Sequence, residues 1–202
     1  MKAISGSFPI TGRSVIQRLN FADWPNIVDS ARDLGLDQIS FLAADVSTDA
    51  FNRPQIWDES RTAEVSLEPS QLPELKSVVE QMSLDHASDI SSGFVAESPD
   101  KLRRIFDYYA ALATGSAFPT VQCNAPWVSA VVEADGTVRP CFFHRPMGNI
   151  RQATLNEIVN DSREIDFRKN LDANKNPVCQ KCVCTLSLGA TTALHSSVVK
   201  SV

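Results

Sequence analysis

A chain of 202 residues can build one large domain or two small ones around a real core. Its 43% apolar and 21% charged residues are ordinary for a globular protein, and a net charge of −5 without any Lys/Arg-rich run argues against nucleic acid as a partner. No stretch approaches the ~18 apolar residues of a membrane span, and Met1-Lys2-Ala3-Ile4-Ser5-Gly6-Ser7 leads into Phe8-Pro9 without a signal-peptide core, so no membrane partner and a reducing cytoplasm are expected.

Residues 14–20 alternate apolar and polar side chains like a short strand. Asp23 then offers a helix N-cap with Pro25 in the first turn. Ile27, Val28, Ala31 and Leu34 recur at helical spacing, and Gly35 stands where a helix-ending glycine belongs. Gln38-Ile39-Ser40-Phe41-Leu42-Ala43 reads as a second strand, so the three elements make a βαβ unit with parallel strands. Residues 44–69 read as a long polar connection containing Asn52-Arg53-Pro54 and Trp57. Ser70 caps a helix of about 71–84 whose Leu72, Leu75, Val78, Val79 and Met82 form one apolar stripe. Ser98-Pro99-Asp100 is a stronger start signal. It opens a helix to about 113, with Leu102, Ile105, Phe106, Tyr109 and Leu112 on one face and Gly115 ending it. Only two strands leave this half short of a closed sheet.

Ser116-Ala117-Phe118-Pro119-Thr120 marks a boundary. Beyond it, Trp127–Glu133 and Thr137–Phe143 are β-rich runs flanking Ala134-Asp135-Gly136, and Asp-Gly between such runs signals a hairpin because glycine accepts positive φ. Gly148-Asn149 reads as another turn. Thr154 caps a short helix carrying Leu155, Ile158 and Val159, and a helical stretch around 162–171 leads to Pro177.

All five cysteines fall between residues 123 and 184. Cys123 is followed after 17 residues by Cys141, and after 37 more by Cys179-Gln180-Lys181-Cys182-Val183-Cys184. Two distant thiols plus a C-x-x-C pair are what a four-thiolate metal centre needs, and in a reducing compartment metal ligation is favoured over disulfides. Burial as small apolar residues is the plainer reading, but thiols are costly to cluster without a ligand. Zinc and an iron–sulfur cluster use the same four thiolates, and spacing alone does not separate them. With five cysteines, one is spare in any four-ligand arrangement.

The stretch from Cys123-Asn124-Ala125-Pro126-Trp127 to Val183-Cys184, with Gly136-x4-Cys141, the Gly-Asn-Ile turn, a short helix and C-x-x-C, resembles the auxiliary-cluster region of radical S-adenosylmethionine enzymes. That region is the SPASM domain, or Twitch in its shorter form. The strand–helix–strand of residues 14–43 looks like the last βαβ of that family's partial (β/α) barrel. The resemblance implies an α/β chain divided as 1–118, the C-terminal part of a partial (β/α) barrel; 119–190, a Twitch/SPASM-like module of β-hairpin, helix and C-x-x-C; and 191–202, a tail.

The same resemblance implies that Cys123, Cys141, Cys179 and Cys182 hold one auxiliary 4Fe–4S cluster, with zinc as the alternative occupant of a non-catalytic scaffold. Cys184 is left over. His144, three residues after Cys141, is expected at a strand end as a surface or hydrogen-bonding group rather than a ligand. His86 and His195 have no evident partner. Asn20 and Asp45 follow the two parallel strands, on the edge where the family binds S-adenosylmethionine and substrate; as ordinary turn residues they need no such role. Arg139 stands near the cluster. One departure matters: the family's catalytic C-x3-C-x2-C has no counterpart, because no cysteine precedes Cys123. The chain is therefore expected to be the C-terminal portion of such an enzyme, not catalytic alone. Its expected partners are a missing N-terminal barrel part or an electron donor, with a peptide or small-molecule substrate in the complete enzyme.

Overall fold

The structure, a computed structural model, describes residues 8–50, 53 and 55–189. His195 and the expected tail lie outside them. Two compact units are formed, one from residues up to Ser47 with Trp57–Pro119, the other from Thr48–Ile56 with the residues from Thr120 onward. Among the described residues no helix is long and apolar enough to cross a membrane.

In the first unit, β1 (Thr11–Ile16) and β2 (Gln38–Ala43) pair in parallel, with Ile16 opposite Ala43 and Gly12 opposite Ile39. The first strand thus lies three residues earlier than the alternation of 14–20 suggests. Gln17–Asn20 turn instead, since the Gln17 amide donates to Asn20 Oδ1 and the Asn20 side chain donates to the Val15 carbonyl. α1 (Trp24–Asp33) connects the strands; the chain leaves it through Gly35 at φ 71°, a left-handed conformation that suits glycine. A third parallel run, unexpected from the sequence, follows on the far side of β2. The Ile39 amide donates to the Phe94 carbonyl at 2.8 Å, and the Ala96 amide to the Ile39 carbonyl at 2.9 Å. A single bridged pair, Ile39 with Val95, is too short for any periodicity to announce.

The connection of 44–69 is not structureless. It contains α2 (Glu59–Val65), started by Asp58, whose side chain accepts from the Arg61 amide. Its Val65 packs with Ala44 and Val46, and Trp57 closes over them. α3 (Leu72–Asp85) begins beside Gln71, after a short 3-10 turn in which Glu68 and Gln71 cap one another; Ser70 does not cap it. α4 (Ala87–Ser92) was not evident in the sequence. His86 at its start is buried, with Nδ1 3.0 Å from Asp89 Oδ2, and Asp89 also pairs with Arg32 of α1. α5 (Pro99–Thr114) starts where Ser98 accepts from the Lys101 amide and ends at Gly115 in a left-handed conformation.

The core of this unit lies between the strands and α1, α3 and α5. Ile16, Ile39, Phe41 and Ala43 on the strands are buried, as are Trp24, Val28, Leu75, Met82, Leu102 and Tyr109 on the helices. Leu34, although in helical register, is exposed because it lies at the C-cap. Tyr109 adds a polar tie: its hydroxyl donates to the Ile16 carbonyl and accepts from the Ala44 amide. Burial pushes this phenol far above its ordinary pKa, so it stays a neutral donor. Tyr109→Phe should cost about 1–3 kcal/mol in chemical denaturation, because two buried backbone groups lose a partner without a compensating gain. A variant as stable as the parent would show that the tie contributes nothing.

In the second unit, α6 (Ala125–Val128) is a single turn that replaces the start of the expected first hairpin strand, with Pro126 inside it. The strands themselves are short: β3 (Val131–Val132) pairs antiparallel with β4 (Thr137–Arg139) across Asp135-Gly136, where Gly136 has φ 88°. Pro140 has no amide to continue the ladder. Gly148-Asn149 is not a free turn but β5 (Gly148–Asn149), antiparallel to β4. α7 (Leu155–Val159) carries the expected Thr154 cap, reciprocated by Glu157. Ile158 of α7 packs with Val138 and Met147 into a small core. α8 (Ser162–Asn170) and the one-turn α9 (Pro177–Gln180) complete the unit.

Candidate metal centre

The four expected ligands are delivered by three different pieces of chain. Cys141 sits in the tight turn that follows β4, and that turn folds back because the Met147 amide bonds the Val138 carbonyl at 2.7 Å. Cys179 lies on α9, placed by Asn176, whose side chain caps the helix by accepting from the amides of Val178 and Cys179. Cys182 follows in the next turn, its amide bonded to the Cys179 carbonyl at 3.0 Å. Cys123 is held by its neighbour. Asn124 clamps the segment beyond the cysteine group, its amide donating to the Leu186 carbonyl at 2.7 Å and its side chain bonding both backbone groups of Leu188. Asn174 braces the approach, accepting from the Val121 amide and, through its carbonyl, from the Gln180 side chain.

All five cysteines line one concave site whose empty space, counted out to open solvent, is about 400 Å³. The rest of its wall is apolar and includes Val121, Leu171 and Phe143, with the half-exposed Trp127 among the lining side chains. Cys184, the spare thiol of the sequence reading, is on the same wall. It also serves Cys182: its amide lies 3.3 Å from Cys182 Sγ, and its carbonyl is 3.2 Å from that sulfur. Cys141 receives two such amides, from Phe143 and His144. Amides aimed at sulfur stabilise thiolates, and this is the pattern expected around metal-bound cysteines.

Burial opposes ionisation of these thiols until a cation arrives. It pushes Cys141 up, Cys179 up to about 11 and Cys182 further still, and the neighbouring cysteines add repulsion in each case. A metal must therefore displace protons as it binds. Among the described residues no three His, Cys, Asp or Glu side chains converge closely enough to hold one metal ion. The thiols thus line one cavity without converging on a single point.

His144 takes the hydrogen-bonding alternative of the two expected for it. It is buried rather than a surface residue, with Nε2 3.2 Å from Cys179 Sγ, and burial together with Arg145 lowers its pKa. The sequence signal was its place three residues after Cys141, which has meaning only once the turn folds back onto α9. Arg139 does not point at the cavity as a free charge. It pairs with Glu133 at 3.0 Å and donates to the His144 carbonyl at 3.0 Å, bracing the ligand turn. Asn20 and Asp45 belong to the first unit, after β1 and β2 as expected. Asn20 closes its own turn, and Asp45 accepts from the amide and hydroxyl of Ser47. The cysteines belong to the second unit.

A family model described as SPASM, an iron-sulfur cluster-binding domain, matches residues 123–183. No curated protein and no solved structure matches the chain significantly.

Proposed function

We propose, from the SPASM-type iron–sulfur domain that residues 123–183 form, that this chain holds one 4Fe–4S cluster through Cys123, Cys141, Cys179 and Cys182, as the auxiliary-cluster part of a radical S-adenosylmethionine system. The observation that carries this reading is the shared cavity: thiols from three chain segments face one apolar space, with amides directed at Cys141 and Cys182. A zinc ion would need its four thiolates within about 2.3 Å of one point; the match to an iron-sulfur cluster-binding domain is what favours a cluster of several irons over zinc. Five thiols supply one four-ligand cluster and leave one over, so the short, Twitch-like form is favoured over a two-cluster domain.

In this reading such a cluster supplies one-electron transfer or an anchoring point for substrate. The chain's own contribution is to exclude water with the apolar wall, to neutralise part of the thiolate charge with backbone amides, and to keep the ligand turn rigid through Arg139. The first unit is read as part of a (β/α) barrel. Its three parallel runs with helices packed against them support this, and in a complete enzyme the strand ends bearing Asn20 and Asp45 would face S-adenosylmethionine. An electron donor, or a chain carrying the remaining barrel strands, is the partner this reading requires.

The deciding experiment is anaerobic purification with metal analysis. Visible absorption of a thiolate-bound cluster and about four iron and four sulfide per chain are expected. A colourless protein carrying one zinc would replace this reading with the zinc-stabilised scaffold.

A further inference from the structure

The turn that carries Cys141 ends in a residue that the four-thiolate reading does not use. His144 is only 7% exposed, and its neighbours hold it in place. Its carbonyl accepts from Arg139, which is itself fixed to Glu133. Its ring meets the edge of Phe167 on α8, with centroids 5.0 Å apart at 67°. The next residue, Arg145, lies over the same Phe167 ring and reaches Glu164 at 3.0 Å. Glu164 is 1% exposed, and its Oε1 has no aligned hydrogen-bond donor, so the Arg145 charge is what holds this buried carboxylate. Releasing Arg145 would strand that charge, which is costly. The turn is therefore pinned to α8, and the imidazole has little freedom to leave Cys179.

The fourth contact is the informative one. Nε2 lies 3.2 Å from Cys179 Sγ, a separation at which an N–H reaches sulfur. A metal-bound thiolate carries no proton, so the hydrogen on this line belongs to Nε2. A nitrogen that donates has no lone pair left for a metal. The contacts described above to the sulfurs of Cys141 and Cys182 come from the backbone; this one comes from a side chain, and it serves the only cysteine on α9.

Resting on the cluster reading above, we propose that His144 donates an Nε2–H···S hydrogen bond to the Cys179 thiolate and is a positioning residue of the centre, not a ligand. By withdrawing charge from that sulfur it makes the reduced centre easier to form, since hydrogen bonds to the sulfurs are among the determinants of cluster potential. It also orients the α9 ligand, as an outer partner does at other metal sites.

The unmodified protein provides the first test. With isotopically labelled histidine nitrogen, pulsed electron paramagnetic resonance of the reduced centre should show a weak nitrogen coupling. A coupling as large as that of a direct iron–nitrogen bond would make His144 a ligand and overturn the inference, and so would the absence of any coupling. Two variants supply the second test. His144→Phe keeps a ring against Phe167 without the donor, while His144→Gln keeps a side-chain N–H. His144→Phe should retain its iron, show a more negative midpoint potential and a higher Fe–S(Cys) stretching frequency, and lose the cluster to a chelator about tenfold faster. His144→Gln should move both spectroscopic values back toward the parent. A parental potential and stretching frequency in His144→Phe would overturn the inference, while leaving the parent's iron and sulfide content as independent support for the cluster. A parent protein holding one zinc and no reducible centre would overturn both.

Discussion

Replacing Cys141 with serine is expected to strip the iron and unfold residues 119–185, and Cys123→Ser, Cys179→Ser and Cys182→Ser should do the same. The second unit has little else to hold it. Its strands are two or three residues long, and its described core consists of two small clusters, one around Val138, Met147 and Ile158 and one around Phe143, Cys182 and Ala50. The second of these is built from the ligand segments themselves. Structural metal centres contribute on the order of 10 kcal/mol to the folding of such units, comparable to the whole stability of a small domain. Removing one ligand should therefore change the unit from folded to unfolded rather than weaken it by degrees. Iron per chain and amide hydrogen exchange over residues 120–189 would measure both effects. Cys184→Ser should keep most of its iron, because the Cys184 backbone, which the substitution retains, provides the contact to Cys182 Sγ. A cluster lost in Cys184→Ser and kept in Cys182→Ser would exchange their roles.

The second expected result is negative: reduced protein incubated with S-adenosylmethionine should form no 5′-deoxyadenosine above background. Cleavage of the cofactor needs a cluster with one iron open to its amino and carboxylate groups, which in the radical enzymes is left by three cysteines. The chain has five cysteines in all, and every one of them lines the same cavity. In the proposed arrangement four of them close one cluster and one is left, too few for a second centre of three. No other thiols exist from which to build it. The readout is chromatographic quantification of the nucleoside against a cluster-free control. A stoichiometric burst from this polypeptide would show that one of the four assigned thiolates is not a ligand and that its iron is open.

Local chemistry was legible in the sequence. The βαβ unit, the starts at Ser98 and Thr154, the ends at Gly35 and Gly115 and the Asp135-Gly136 hairpin each depend on residues within a few positions of one another. A cap needs only a side-chain oxygen and the amide two or three residues on. The spacing of the cysteines was legible for the same reason, since each thiol declares its chemistry whatever surrounds it. Segment boundaries were less so. β1 ends earlier than its alternation suggests because Asn20 draws Gln17 out of the strand, and α2 hid within a polar stretch because its stability comes from Val65 packing on Ala44 and Val46.

What the sequence determined by itself was therefore the donor set: five thiols, a C-x-x-C pair, two distant partners, and no cysteine before Cys123. Only the tertiary structure decided where those donors meet and what touches them. The third parallel run at 94–96, β5, the place of Cys184 on the cavity wall and the contact of His144 with Cys179 all join residues far apart in the chain. No spacing rule encodes such contacts. They follow from how the ligand turn, α8 and α9 pack, and the burial produced by that packing keeps the thiols protonated until a metal displaces their protons.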